Sequence, residues 1–213
     1  MPRGSLPGYV WDKAKGVYRR LLANGALGGT VSSDEIVGGL REIAAASEKT
    51  LGDLSVAVLD GGLTVNDGVL AGNMFLKDLY NAYSALARGG WSKMDFASWG
   101  RNGQLLRGEY KYWRDFMSAI ASDKLSEAQT RARAALYVGK AYSRYWAEDR
   151  LMKLQNDEYQ FEEWHSRDDP VVCFDCLALE ALGKVPIGTI RAIPGDGTST
   201  ACRSACRCSV SYS

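Results

Sequence analysis

The chain has 213 residues, of which 46% are hydrophobic and 24% charged, and its net charge is +1. That is the make-up of a soluble globular protein with room for one substantial domain and a small appendage. It argues against a chain that grips nucleic acid mainly through phosphates, although a local basic patch fits within it. No apolar run approaches the roughly 20 residues that span a bilayer, and the opening residues lack the apolar stretch of a signal peptide.

The first 155 or so residues read as helical. Val10, Val17, Leu21 and Leu22 predict a helix over 9–22 that ends near Asn24 and Gly25. Ser32 and Glu35 have capping-box spacing and open a helix carrying Ile36, Leu40 and Ile43, followed by small alanines. Residues 51–59 are rich enough in Val and Leu for a short buried helix or a strand. A longer helix over 64–87 carries Val69, Leu70, Met74, Leu76, Leu79, Tyr83 and Leu86, and stops at Gly89 and Gly90.

Ser92 and Asp95 can cap the next helix. Its second half shows Leu106, Tyr110, Trp113, Met117 and Ile120 at alternating spacings of four and three, a clear helical stripe. Gly100, Gly103 and Gly108 weaken the first half and predict a kink or a split. Ser126 and Gln129 again have capping-box spacing. They open a last long helix with Ala128, Ala132, Ala135, Gly139, Tyr142 and Trp146 on one face. The small residues there would allow close approach of another helix. The opposite surface carries Arg131, Arg133, Lys140, Arg144, Arg150 and Lys153, which reads as a solvated face or as a contact for nucleic acid or an acidic partner.

Near residue 157 the period changes. Tyr159, Phe161, Glu163 and His165 alternate with their neighbours as in a strand. Pro170, Pro186 and Pro194 fall in this tail together with Gly183, Gly188, Gly195 and Gly197. The composition shift divides the chain into a helical domain, 1–156, and a cysteine-rich β module, 157–213. The expected fold is therefore mainly α: a helical N-terminal body with a small C-terminal α+β or β module of zinc-knuckle type.

All five cysteines lie between 173 and 208, as Cys173-x2-Cys176 and Cys202-x3-Cys206-x-Cys208. A Cys-x2-Cys turn sets two sulfurs on one side of a tight knuckle, and a second group supplies the other corners of a tetrahedron. Binding one ion this way holds together a segment too short to build its own core. The expected ligands of a closed, structural Zn2+ are Cys173, Cys176, Cys202 and Cys206, with Cys208 as the alternative to Cys206. His165, the one histidine, is expected on a strand or the surface rather than at the metal. Free or disulfide-paired thiols are the competing reading.

Catalytic alternatives meet specific obstacles. There is no H-x-E before a P-C-x-x-C, as a nucleobase deaminase needs. One histidine excludes H-E-x-x-H. A Cys–His pair would lack an orienting third group. A thioredoxin-like use of Cys173 and Cys176 calls for a helix opening at the motif within a βαβ unit.

The stretch from Glu163-Trp164-His165-Ser166-Arg167-Asp168-Asp169-Pro170 through Val171-Val172-Cys173-Phe174-Asp175-Cys176-Leu177 resembles the W-x-(S/T)-x-x-D-x-x-V-C-x-x-C core of phage minor head proteins, the Mu F-like head morphogenesis family. Pro194-Gly195-Asp196-Gly197-Thr198 and Cys202-Arg203-Ser204-Ala205-Cys206-Arg207-Cys208 resemble that family's closing element. In many members the element reads H-x-x-C-R-C; here Cys202 stands in for the histidine, one residue further from the C-R-C pair. The likeness covers about residues 126–213.

It implies a virion protein made in a bacterial host cytoplasm, a non-enzymatic minor capsid component acting in head morphogenesis at the portal or inner capsid. The implied partners are portal, capsid or connector proteins, with contact to packaged DNA, no membrane, and several copies in a symmetric assembly. Within the motif, Trp164 is placed to shield the metal, Asp168 and Asp169 to hold the turn before Pro170, and Arg207 to meet a carboxylate or phosphate. Two alternatives stand beside this reading. One is a zinc-containing nucleic-acid binder using Lys184, Arg191, Arg203 and Arg207 of the tail. The other is a hydrolase or redox enzyme built on the cysteines.

Overall fold

The computed structural model describes residues 9–12, 15, 17–122, 125–167 and 172–213. Among them are three short strands, β1 (Tyr9–Asp12), β2 (Val17–Leu21) and β3 (Leu27–Thr30), and four long helices, α1 (Ser33–Leu59), α2 (Val65–Arg88), α3 (Phe96–Ser122) and α4 (Glu127–Leu154). The tail adds β4 (Phe161–His165), α5 (Phe174–Glu180), β5 (Val185–Pro186) and β6 (Ser209–Tyr212). The protein is mainly helical, as its sequence predicts, with two small antiparallel sheets of orders β1-β2-β3 and β5-β4-β6. No helix among the described residues is long and apolar enough to cross a membrane.

The helix predicted over 9–22 is not formed; that segment is β1 and β2. Tyr9, Val10, Val17 and Tyr18 are aromatic and β-branched residues that fit a pleated surface. Asn24 and Gly25 are a hairpin turn rather than a helix stop. Gly25 sits at φ +80°, and the Leu22 N–H donates to the Ala26 carbonyl across the turn. Tyr18 fastens the sheet to the bundle: its ring is buried and its hydroxyl donates to the Leu86 carbonyl at 2.8 Å.

The helix starts follow their caps. Both predicted capping boxes form, Ser32 with Glu35 and Ser126 with Gln129. Residues 51–59 continue α1 without a break. Asp95, not Ser92, caps α3, accepting the Ser98 N–H at 2.7 Å. The glycines of α3 do not split it; Gly100, Gly103 and Gly108 have open space where a Cβ would stand.

α4 packs against both α1 and α2, and α3 packs on α2. The phase predicted for the first half of α4 is wrong. Ala128 and Ala132 are exposed, and the buried line runs through Thr130, Ala134, Tyr137, Val138 and Ala141 before it takes in Tyr142 and Trp146. Tyr137 decides the phase, because a large aromatic ring gains more from burial than two methyl groups.

The basic residues of α4 are mostly spent inside the molecule. Arg131 bridges Asp53 and Glu127 at 2.7 and 2.8 Å, and Lys140 reaches Glu109 at 3.0 Å. Arg133 lies over the Phe116 ring, and Lys153 donates to the Tyr159 hydroxyl. Arg144 is itself buried. It shares the wholly buried Glu148 with Arg88 and Arg101, at N–O distances of 2.8, 2.8 and 2.9 Å. Burial alone would raise the Glu148 carboxyl; the hydrogen bonds from Arg101 and Arg88 outweigh it and hold it below its ordinary value.

Asp149, one residue on, is the opposite case. Burial pushes its carboxyl from 3.8 up to about 6, with Lys153 only partly offsetting. The folded chain thus binds this proton more tightly than the unfolded chain. The carboxylate costs stability above pH ~6, and the cost fades as pH falls toward the unfolded value near 4. Asp149→Asn is expected to stabilise the fold by about 1–2 kcal/mol at pH 8 and by nearly nothing at pH 4. Urea unfolding at the two pH values measures the difference.

Candidate metal centre

The C-terminal module is built onto α4 rather than hung from it. The buried core runs without interruption from the bundle into Trp164, Cys176, Ile190, Cys206, Cys208 and Val210. β4 is the central strand of its sheet, with Trp164 opposite Val210 and His165 opposite Ser209. The closest approach is at Gly139. A Cβ there would lie 1.5 Å from the Ser204 carbonyl oxygen and 2.6 Å from its carbon. The small residue admits the backbone of the 3-10 turn Arg203–Ala205, not another helix.

That turn is flanked by Cys202 and Cys206, so its seating on α4 positions two of the sulfurs. The other two come from α5. Cys173 is its N-cap residue and Cys176 lies in its first turn, which folds the two thiols to one side. Asp175, between them, accepts the Ala201 N–H at 2.7 Å and ties the first cysteine group to the second. Arg207 meets the carboxylate of Glu48 on α1 and donates to the carbonyls of Ser204 and Cys206 at 3.0 and 3.1 Å.

All five sulfurs converge around one small cavity of about 100 Å³, lined also by Arg167, Val172, Ala205 and Arg207. Cys176 is central: its sulfur stands 3.4 Å from that of Cys173, 3.5 Å from Cys202 and 3.8 Å from Cys206. Two groups of three have all sulfurs within 4.8 Å of one another, Cys173–Cys176–Cys202 and Cys176–Cys206–Cys208, and they share Cys176. Tetrahedral thiolate bonds of about 2.3 Å give sulfur–sulfur edges of roughly 3.8 Å, so the spacing suits a metal ion. None of the five is disulfide-bonded.

The thiols oppose one another as acids. Burial pushes Cys176 far up and Cys202 up to about 11, while the contact with Cys208, followed by burial, raises Cys206. Cys173 goes the other way, to about 7; burial there is outweighed by the Cys176 N–H and by Cys202. Thiols packed this closely do not ionise together unless a cation balances them. The cluster can therefore hold a metal ion.

The remaining motif residues fall as follows. His165 bonds the Ser211 hydroxyl at 2.7 Å and does not line the sulfur cavity. Trp164 is wholly buried within the core. Asp168, Asp169 and Pro170 lie outside the described residues. The helix that a redox Cys-x2-Cys requires is present as α5, but its sheet is antiparallel and supplies no βαβ unit. Sequence reasoning missed Asp175 and the seat at Gly139. Asp175 stands between the two cysteines of the motif and was readable as a turn acceptor; the approach of Ser204 to Gly139 joins residues 65 apart and leaves no local signal. No family model, no curated protein and no solved structure matches the chain.

Proposed function

We propose that this chain is a structural, non-enzymatic component of a tailed-phage head, a minor head protein acting in morphogenesis at the portal or inner capsid, and that its C-terminal module is closed by one zinc ion. The observation that supports this reading most is the convergence of four sulfurs on that of Cys176, in the order of the minor-head motif, inside a core continuous with the helical bundle. Zinc held by Cys173, Cys176, Cys202 and Cys206 or Cys208 would carry no open position. It would fix the module's shape rather than activate water. Binding to portal, capsid or connector then falls to the bundle surface, where Leu70 and Met74 on α2 and Phe96 and Trp99 on α3 are exposed. Several copies around a symmetric partner follow from such a role.

Metal analysis with a free-thiol count on the purified protein tests the zinc, and fractionation of procapsids and virions from producing cells tests the setting. One zinc and one reactive thiol per chain are expected, with the protein recovered in the particles. A metal-free chain with two disulfides would remove the zinc. Absence from procapsids and virions would remove the head assignment.

A further inference from the structure

The outer face of α3 carries a line that nothing inside the molecule explains. Phe96, Gly100, Gly103, Arg107, Lys111, Arg114, Ser118 and Ala121 follow one another at steps of four and three, and all are exposed. The opposite face buries Leu106, Trp113, Met117 and Ile120, which fixes the line outward. Arg107, Lys111 and Arg114 stand at i, i+4 and i+7 and span about 10 Å along the axis. Among the described residues none of the three has an ion pair or hydrogen bond. No Asp or Glu falls on the line.

The contrast with α4 gives this weight. The basic residues that the sequence offers on α4 are paired with Asp53, Glu127, Glu109 and Glu148 or set over aromatic rings, and Arg101 of α3 joins them at Glu148, whereas Arg107, Lys111 and Arg114 are left to solvent. In the tail Arg207 is engaged by Glu48 and Lys184 lies over Phe161, which leaves Arg191 and Arg203 exposed but on no common helix face. Gly100 and Gly103 leave open space where side chains would stand, so a bulky chain can come close to the helix backbone.

We infer that the outer line of α3 is a track for the phosphate backbone of duplex DNA, bound without regard to sequence. A lipid surface fits less well. A helix lying in a membrane interface buries an apolar stripe flanked by cations. Here the stripe itself is cationic, and its one exposed ring, Phe96, stands at one end. The inference does not depend on the head assignment and would hold for any cellular setting.

The test uses the full-length protein and a 30-base-pair duplex, with binding followed by fluorescence anisotropy across a salt series. Three phosphate contacts give a log–log salt slope of about −2.7, or roughly a 40-fold loss of affinity between 50 and 200 mM salt. The triple variant Arg107→Ala, Lys111→Ala, Arg114→Ala is expected to lose this slope and at least tenfold in affinity at 50 mM, with unchanged helical circular dichroism. A control triple, Lys184→Ala, Arg191→Ala, Arg203→Ala, removes the same charge from the tail and is expected to bind within twofold of the parent. Equal loss in both triples would overturn the inference in favour of bulk charge. So would the absence of binding at 50 mM salt, or tighter capture by anionic phosphatidylserine vesicles that the α3 triple abolishes while duplex binding persists.

Discussion

Cys176→Ser is expected to leave the chain without bound zinc and to lower its melting temperature by roughly 6–12 °C, equivalent to about 3 kcal/mol in a chain of this size. Cys176 is the one sulfur common to both triads, and it stands within 3.8 Å of three others. Its loss dismantles either choice of four ligands. Cys208→Ser provides the comparison. It keeps Cys173, Cys176, Cys202 and Cys206, so the same metal analysis should still find one zinc. If Cys206→Ser retains zinc and Cys208→Ser does not, Cys208 is the fourth ligand. Retention of zinc by Cys176→Ser would refute the site as drawn.

Gly139→Ala should be nearly as damaging, although alanine is the better helix former. In an open helix position this exchange gains about 0.5–1 kcal/mol. At Gly139 the new methyl would meet the Ser204 carbonyl at 1.5 Å, and backbone cannot swing aside as a side-chain tip can. The turn Arg203–Ala205 must lift, and it takes Cys202 and Cys206 with it. A loss of about 2–4 kcal/mol is expected, within the range of overpacked cores, together with at least tenfold weaker zinc retention against a chelator. Gly108→Ala on α3, where the added atom meets open space, should stabilise by about 0.5 kcal/mol. Chemical denaturation and chelator competition on the two variants separate propensity from seating. A Gly139→Ala protein as stable as Gly108→Ala would show that the module is not seated there.

What was legible in the sequence was local. Ser32 with Glu35 and Ser126 with Gln129 announced two helix starts, and the stripe from Leu106 to Ile120 gave the buried face of α3. The cysteine spacing brought Cys173, Cys176, Cys202 and either Cys206 or Cys208 to one place, and the structure gathers all five. The failures share a physical reason. Asn24 and Gly25 end a helix or turn a hairpin equally well, and the Tyr18 contact with Leu86 that favours the sheet spans 68 residues. On α4 the alanines gave one phase, and packing of Tyr137 and Val138 set another. Charge misled in the same way. Arg131 and Lys140 of α4 looked like a surface because their partners, Asp53 and Glu109, come from other helices.

The tail also dictates an order of events during synthesis. β4 pairs with a strand met 46 residues later, and Cys176 waits 26 and 30 residues for Cys202 and Cys206. The bundle, by contrast, has its own contacts complete once α4 exists. A ribosome making this protein therefore extrudes all four bundle helices while Trp164 and the first two thiols are still bare. In that interval the nascent chain offers an aromatic strand that lacks β6 on one edge and a dithiol open to oxidation, the kind of exposure that invites misassembly. Closure of the module thus waits on the arrival of the C-R-C segment. Conditions that oxidise the early pair should trap a species with a native body and an unclosed end.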